Sequence, residues 1–127
     1  MARSNHFRYH LRQQVNSPAR NKNIYVTELM LEALPVMRGV LIQVALRRET
    51  ITYKQLSVAL DRRYHYHQDA LGDALDVLSE DCFAHDEPSL AALVVRNDTS
   101  EVGYAFVGDA VAEREECYRY WAKQLRA

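Results

Sequence analysis

Apolar residues in the first half of the chain recur at helical spacing. The intervals i, i+3, i+4, i+7 and i+8 hold for five of them: Met37, Val40, Leu41, Val44 and Ala45. This pattern gives a helix one apolar stripe. Thr27 can cap a preceding turn, and Pro35 is well suited to a first helical position. We therefore predict a capped turn after Thr27 and a first helix that begins at Pro35 and ends near Arg48.

Two more helices are predicted downstream. Thr52 and Gln55 have the spacing of a capping box, which predicts a short helix over residues 53–60. Residues 61–64 have the character of a turn. A third helix is then expected over residues 68–82, because one of its faces is apolar at helical spacing: Leu71, Ala74, Leu75, Leu78 and Cys82.

The last third of the chain changes from helix to strand character and back. Pro88 prevents the third helix from continuing. Residues 89–95 and 104–107 are apolar runs separated by turn-forming residues at 97–100, so they predict a β-hairpin. A final helix starts at residues 108–109. Four residues are expected to share one broad face of it: Val111, Tyr118, Trp121 and Leu125.

This order of elements predicts an α+β winged helix-turn-helix domain, with three helices and a β-hairpin as the wing. Residues 1–23 are predicted to be an arm, and residues 24–127 the domain with an added C-terminal helix. The residues Ile51-Thr52-Tyr53-Lys54-Gln55-Leu56 resemble the start of the helix-turn-helix in DNA alkyltransferases. The reactive Pro-Cys-His-Arg motif of that family is absent, so the resemblance implies the shape of the module and not alkyl transfer.

Composition indicates one domain with a real core. The chain has 127 residues, of which 48% are hydrophobic. The two cysteines, Cys82 and Cys117, lie far apart and suggest no disulfide framework, which fits a reducing cytosol. The longest apolar stretch, residues 36–46, contains Arg38 and is too short to span a bilayer. We expect a cytoplasmic protein without a secretory signal or a membrane partner.

The net charge of -1 conceals a strong asymmetry. Residues 1–22 contain five basic residues and no acid, whereas the rest of the chain contains the other 11 basic residues and all 17 acids. A basic arm of this kind can bind phosphate, or it can bind an acidic surface on its own body or on a second copy. A homodimer could form through the arm or through the C-terminal helix.

The basic residues favour a small DNA-binding regulatory protein that uses the arm, the start of helix three and the wing. Such contacts to phosphate are salt-dependent and largely independent of base sequence. The candidate nucleic-acid-binding residues are Arg3, Arg8, Arg12, Arg20, Lys22, Lys54, Arg62, Arg63, Tyr64, His65 and Arg96.

An acidic stripe on helix three favours a different function. Its residues fall at i, i+4, i+7 and i+11: Asp69, Asp73, Asp76 and Glu80. Phosphates would repel this stripe, which argues against inserting the whole helix into a major groove. The alternative hypothesis is a protein-binding adaptor or inhibitor that offers the stripe to a basic protein surface, as would suit a phage or mobile-element regulator. The stripe is also compatible with a merely solvated helix face.

Catalytic and metal-binding patterns are weak in this sequence. It contains no glycine-rich phosphate loop, no nucleophile elbow and no His-Glu-x-x-His motif, so we predict neither an enzyme nor a cofactor. Four residues could supply zinc ligands: His65, His67, Cys82 and His85. Their spacing matches no zinc finger, and Cys82 lies on an apolar stripe, so no metal is predicted.

Overall fold

The computed structural model describes residues 9–18, 21–64, 69–96 and 109–126. The helices in these ranges are α1 (Glu28–Leu46), α2 (Tyr53–Ala59), α3 (Asp69–Ala84) and α4 (Ala110–Arg126), with a 3₁₀ turn at Leu90–Leu93. The strands are β1 (Gln14–Ser17), β2 (Lys22–Tyr25), β3 (Ile51–Thr52) and β4 (Val94–Val95). The predicted α+β class is therefore confirmed.

The first helix begins earlier than its sequence pattern predicts. The Thr27 hydroxyl accepts a hydrogen bond from the Met30 amide at 3.1 Å, and α1 then continues through Pro35 without interruption. The prediction that Pro35 starts a new helix is wrong. Leu34 and Met37, on either side of the proline, are both fully buried in the same core. This packing outweighs the one backbone hydrogen bond that proline removes.

The central helix α1 is as long and as apolar as a membrane-spanning helix. It has 19 residues, and an 18-residue stretch of it has a mean hydropathy of 1.7, so its length and composition would allow it to cross a bilayer. The prediction that excluded a span considered only residues 36–46. In this structure half of the helix is buried inside the protein, as expected for a core helix.

The second helix forms as predicted. The Thr52 hydroxyl accepts from the Gln55 amide at 3.1 Å, and the Gln55 side chain accepts from the Thr52 amide at 2.9 Å. This reciprocal pair is the predicted capping box. After α2 the chain reverses through Asp61 and Arg62, which both have φ of 60°.

The third helix presents the predicted face to the core. The five residues of the predicted stripe are all buried: Leu71, Ala74, Leu75, Leu78 and Cys82. They pack against the 3₁₀ turn and α1, and they place the polar side of the helix outward.

The segment after α3 differs from the predicted strand. Leu90–Leu93 forms a 3₁₀ turn, so the prediction of a strand over residues 89–95 is wrong for those four residues. Val94 and Val95 pair in parallel with Ile51 and Thr52, which joins the strand before α2 to the strand after α3. Burial of Leu90 and Leu93 on one side favours a turn here over an extended chain. The predicted second hairpin strand, residues 104–107, lies outside the described residues.

The last helix uses a narrower buried face than predicted. Asp109 caps it by accepting from the amides of Val111 and Ala112. Tyr118 and Trp121 are buried as expected. Val111 and Leu125 are 57% and 59% exposed, so their assignment to the inward face is wrong. They lie near the two ends of α4, whereas Cys117, Tyr118 and Trp121 are buried in its middle.

A buried ion pair joins the helices at the centre. The Arg38 guanidinium donates to both carboxylate oxygens of Glu87, each at 2.9 Å, and both side chains are fully buried. The same guanidinium lies 5.3 Å from the centre of the Trp121 ring. Helix α1 is thereby fixed both to the loop after α3 and to α4.

Candidate nucleic-acid interface

Strands β1 and β2 form a hairpin that packs on α3. Strands β1 and β2 are antiparallel, with Val15 opposite Ile24 and Ser17 opposite Lys22. Val15, Ser17 and Ile24 are buried. The predicted boundary between arm and domain, after residue 23, thus falls inside β2.

The inner side of this hairpin bonds to the acidic stripe of α3. Lys22 Nζ lies 2.9 and 3.1 Å from the two carboxylate oxygens of Asp73. The Ser17 hydroxyl donates to Asp76 Oδ2 at 2.7 Å. Two acids of the predicted protein-binding stripe are therefore engaged within the chain.

The other two members of the acidic stripe differ in environment. Glu80 is partly buried, and this burial, followed by the negative charge of Asp76, raises the pKa of its carboxyl group. Asp69 opens α3, but its side chain lies outside the described part of the chain. Among the described side chains, the stripe thus continues beyond the hairpin at its C-terminal end, at Glu80.

The outer side of the hairpin carries amides and an aromatic ring. Gln14 lies opposite Tyr25, and Asn16 lies opposite Asn23, where Asn16 Nδ2 donates to Asn23 Oδ1 at 3.1 Å. All four side chains are exposed. Sequence reasoning missed them because it weighed only charge in this segment. The signal that could have found them is the period-two alternation of polar residues with Val15 and Ile24.

Predicted basic residues lie on three described surfaces. Arg12 is exposed where the chain enters β1. Lys54 is exposed in the first turn of α2, and Arg96 is exposed directly after β4. Because Thr52 pairs with Val95, the register of the small parallel sheet places Lys54 and Arg96 at the same end of it.

The turn after α2 exposes some, but not all, of its predicted nucleic-acid-binding residues to solvent. Arg62 is exposed, and Arg63 lies 3.6 Å from Glu32 of α1. Tyr64 is only 2% exposed, and burial raises the pKa of its hydroxyl group. A ring buried in the core cannot stack on a base, so Tyr64 leaves the candidate set. The remaining predicted contacts, Arg3, Arg8, Arg20 and His65, lie outside the described residues.

The residues considered for zinc binding are not assembled in the described structure. Cys82 is fully buried, while the His85 ring bonds to the Asp81 carbonyl oxygen at 2.9 Å. Among residues 9–18, 21–64, 69–96 and 109–126, no group of three or more metal-ligating side chains comes together. His67, like His65, falls outside these ranges.

The two buried thiols are poorly suited to nucleophilic chemistry. Burial raises the pKa of Cys82 to about 11 and also raises that of Cys117 far above its ordinary value. The thiolate is the reactive form of cysteine, so both groups are held in their inert form.

A shallow groove of about 190 Å³ lies between α1 and the turn after α2. Ala33, Val36, Ala59 and Leu60 give it an apolar floor, and Asp61 and Arg63 stand at its edge. The groove offers no cluster of polar groups that would fix a small ligand in one orientation.

Comparison of the chain with protein-family models, with curated proteins and with solved structures finds no match.

Proposed function

We propose that this protein is a small DNA-binding regulatory protein of the winged-helix type that does not insert α3 into the groove. The observation that carries the proposal is the double-sided hairpin. One side bonds to the acidic face of α3, and the other side presents amide groups to solvent beside exposed Arg12. The hairpin thus partly covers the acidic side of α3, which phosphates would repel. The outer side of the hairpin, which carries amides and no carboxylate, is better suited to DNA.

The order of elements supports the winged-helix part of the proposal. Helix α1, strand β3, helices α2 and α3, the 3₁₀ turn and strand β4 follow one another in the order expected for a helix-turn-helix and the first strand of a wing. Pairing of β3 with β4 ties α2 and α3 into one unit.

The basic residues support binding to the DNA backbone. Arg12, Lys54, Arg62 and Arg96 are exposed on the hairpin, on α2, after α2 and after β4. Each phosphate that a cation neutralises releases a condensed counterion, which makes affinity fall with salt. Four such contacts predict a loss of about 100-fold in affinity when salt rises from roughly 50 to 200 mM.

The test is fluorescence anisotropy of the full chain with a random-sequence duplex at these two salt concentrations. We expect binding that weakens steeply with salt and that is further weakened by Arg12→Glu combined with Arg62→Glu. Lys123→Glu, on the exposed side of α4, makes a matched control and should bind as the wild type does. Absence of binding by the full chain at the lower salt concentration would overturn the proposal.

A protein-binding adaptor that uses the acidic stripe has less support. Asp73 and Asp76, at the middle of the stripe, are bonded to the hairpin, so a basic partner would have to displace Lys22 and Ser17. This function becomes the better hypothesis if the full chain fails to bind DNA.

A further inference from the structure

We propose that the outer side of the β1–β2 hairpin is a base-reading ribbon that enters the major groove of duplex DNA. The proposal rests on the proposed DNA-binding function and adds the element that gives sequence preference. The ribbon surface is defined by Gln14, Asn16, Asn23 and Tyr25, with Arg12 at its end.

The shape of the hairpin suits this role. A two-stranded antiparallel ribbon fits within the width of the major groove of B-DNA, as an α-helix does. Directly opposite residues of an antiparallel pair project from the same side of the ribbon. The pairs Gln14–Tyr25 and Asn16–Asn23 therefore form a small solvent-facing array.

The chemistry of the array suits base edges. Asparagine and glutamine bond to adenine through its N6 donor and N7 acceptor, and arginine bonds to guanine O6 and N7. The array contains three amides and no carboxylate, and exposed Arg12 precedes β1 at its end. Phosphates that flank the groove would thus meet positive charge.

The Asn16–Asn23 bond makes the expected contact specific. This bond uses Asn16 Nδ2 as the donor and Asn23 Oδ1 as the acceptor. The other polar atom of each amide takes no part in this bond: Asn16 Oδ1 is an acceptor, and Asn23 Nδ2 is a donor. Together they complement the N6 donor and N7 acceptor of one adenine, so we infer a preference for a site that contains adenine.

The inner side of the hairpin holds this array in place. Val15 and Ile24 are 6% and 3% exposed, and Lys22 and Ser17 bond to α3. A binding surface mounted on such a packed support loses less entropy on binding than a disordered arm does.

The experiment selects preferred sites from a randomised duplex pool with the full wild-type chain and then measures affinities for the selected and scrambled duplexes. We expect an adenine-containing site that is preferred about 5- to 150-fold, the range that one good amide–base contact gives. Asn16→Ala combined with Asn23→Ala should abolish most of this preference while leaving affinity for the scrambled duplex within about twofold. Gln43→Ala removes an exposed amide of α1 and should change neither quantity.

The outcomes separate the two proposals. Salt-dependent binding without any preferred site, or a preference that survives the double substitution in folded protein, would overturn the ribbon and leave the proposed DNA-binding function standing. Failure of the wild-type chain to bind any duplex would overturn both. Thermal unfolding of each variant shows that a loss of preference does not come from a loss of fold.

Discussion

Removal of one charge from the Arg38–Glu87 pair tests the account of the core most directly. Both side chains are fully buried and joined by two hydrogen bonds of 2.9 Å. In Glu87→Gln the neutral amide offers one acceptor instead of two charged ones, and the guanidinium keeps its charge inside the core. A buried ion without its counterion costs about 3–5 kcal/mol of unfolding free energy.

A surface pair of the same residue types supplies the comparison. Arg47 and Glu49 lie 2.9 Å apart, and their side chains are 57% and 59% exposed. Glu49→Gln should cost at most about 1 kcal/mol, because water screens this pair. The backbone carbonyl of Glu49, which accepts from the Tyr118 hydroxyl, is unchanged by the substitution.

The assay is urea unfolding followed by the fluorescence of Trp121, the single tryptophan, which is 2% exposed and lies against Arg38. With a slope of about 2 kcal/mol per molar urea, the loss expected for Glu87→Gln lowers the midpoint by about 2 M. The Glu49→Gln midpoint should fall by less than about 0.5 M.

A double substitution separates loss of charge balance from loss of packing. Arg38→Met with Glu87→Leu replaces both ions by apolar groups, and it also removes Arg38 Nε, which has no hydrogen-bond partner within the described part of the chain. The double variant should be more stable than Glu87→Gln. The reasoning is refuted if Glu87→Gln costs no more than Glu49→Gln, or if the double variant is the less stable of the two.

Three further predictions concern the helix cap, the hairpin and the thiols. Thr52→Ala removes the acceptor of the Gln55 amide and should cost about 1 kcal/mol in urea unfolding, whereas Thr52→Ser should restore most of it. Ser17→Ala should destabilise the chain more than Lys22→Met, because Ser17 is buried beside Asp76 while the Lys22 side chain is 42% exposed; equal urea midpoints would contradict this. Thiols of the unfolded chain ionise near pH 9, but burial holds the pKa of Cys82 at about 11, so the unfolding free energy should fall as pH rises between these values. Urea midpoints at pH 8 and pH 10.5 measure this fall, which should be smaller in Cys82→Ala.

Local patterns predicted the helices of this protein well. The capping box at Thr52 and Gln55 depends on two residues that are three positions apart, and the inward face of α3 depends on repeats of three and four. Such signals can be recognised in the sequence because the interacting groups are close along the chain. A prediction failed at Pro35, where packing on both sides of the proline kept α1 continuous.

The candidate site depended on contacts that no local pattern shows. The sequence predicted a basic segment and an acidic helix face, and it left open whether the arm binds phosphate, its own body or a second copy. Lys22 meets Asp73 across 51 positions, and Ser17 meets Asp76 across 59. Only the fold brings these residues together, and in doing so it turns Gln14, Asn16, Asn23 and Tyr25 toward solvent.

The sequence by itself therefore determined the α+β class, the apolar faces of α1 and α3 and the uneven distribution of charge. The tertiary structure decided which charges are paired inside the chain, such as buried Arg38 with Glu87 and Lys22 with Asp73. It also decided which side of the hairpin is available to a partner. The physical reason is that helix formation follows from neighbours a few residues apart, whereas charge pairing and burial follow from distances in space between residues far apart in sequence.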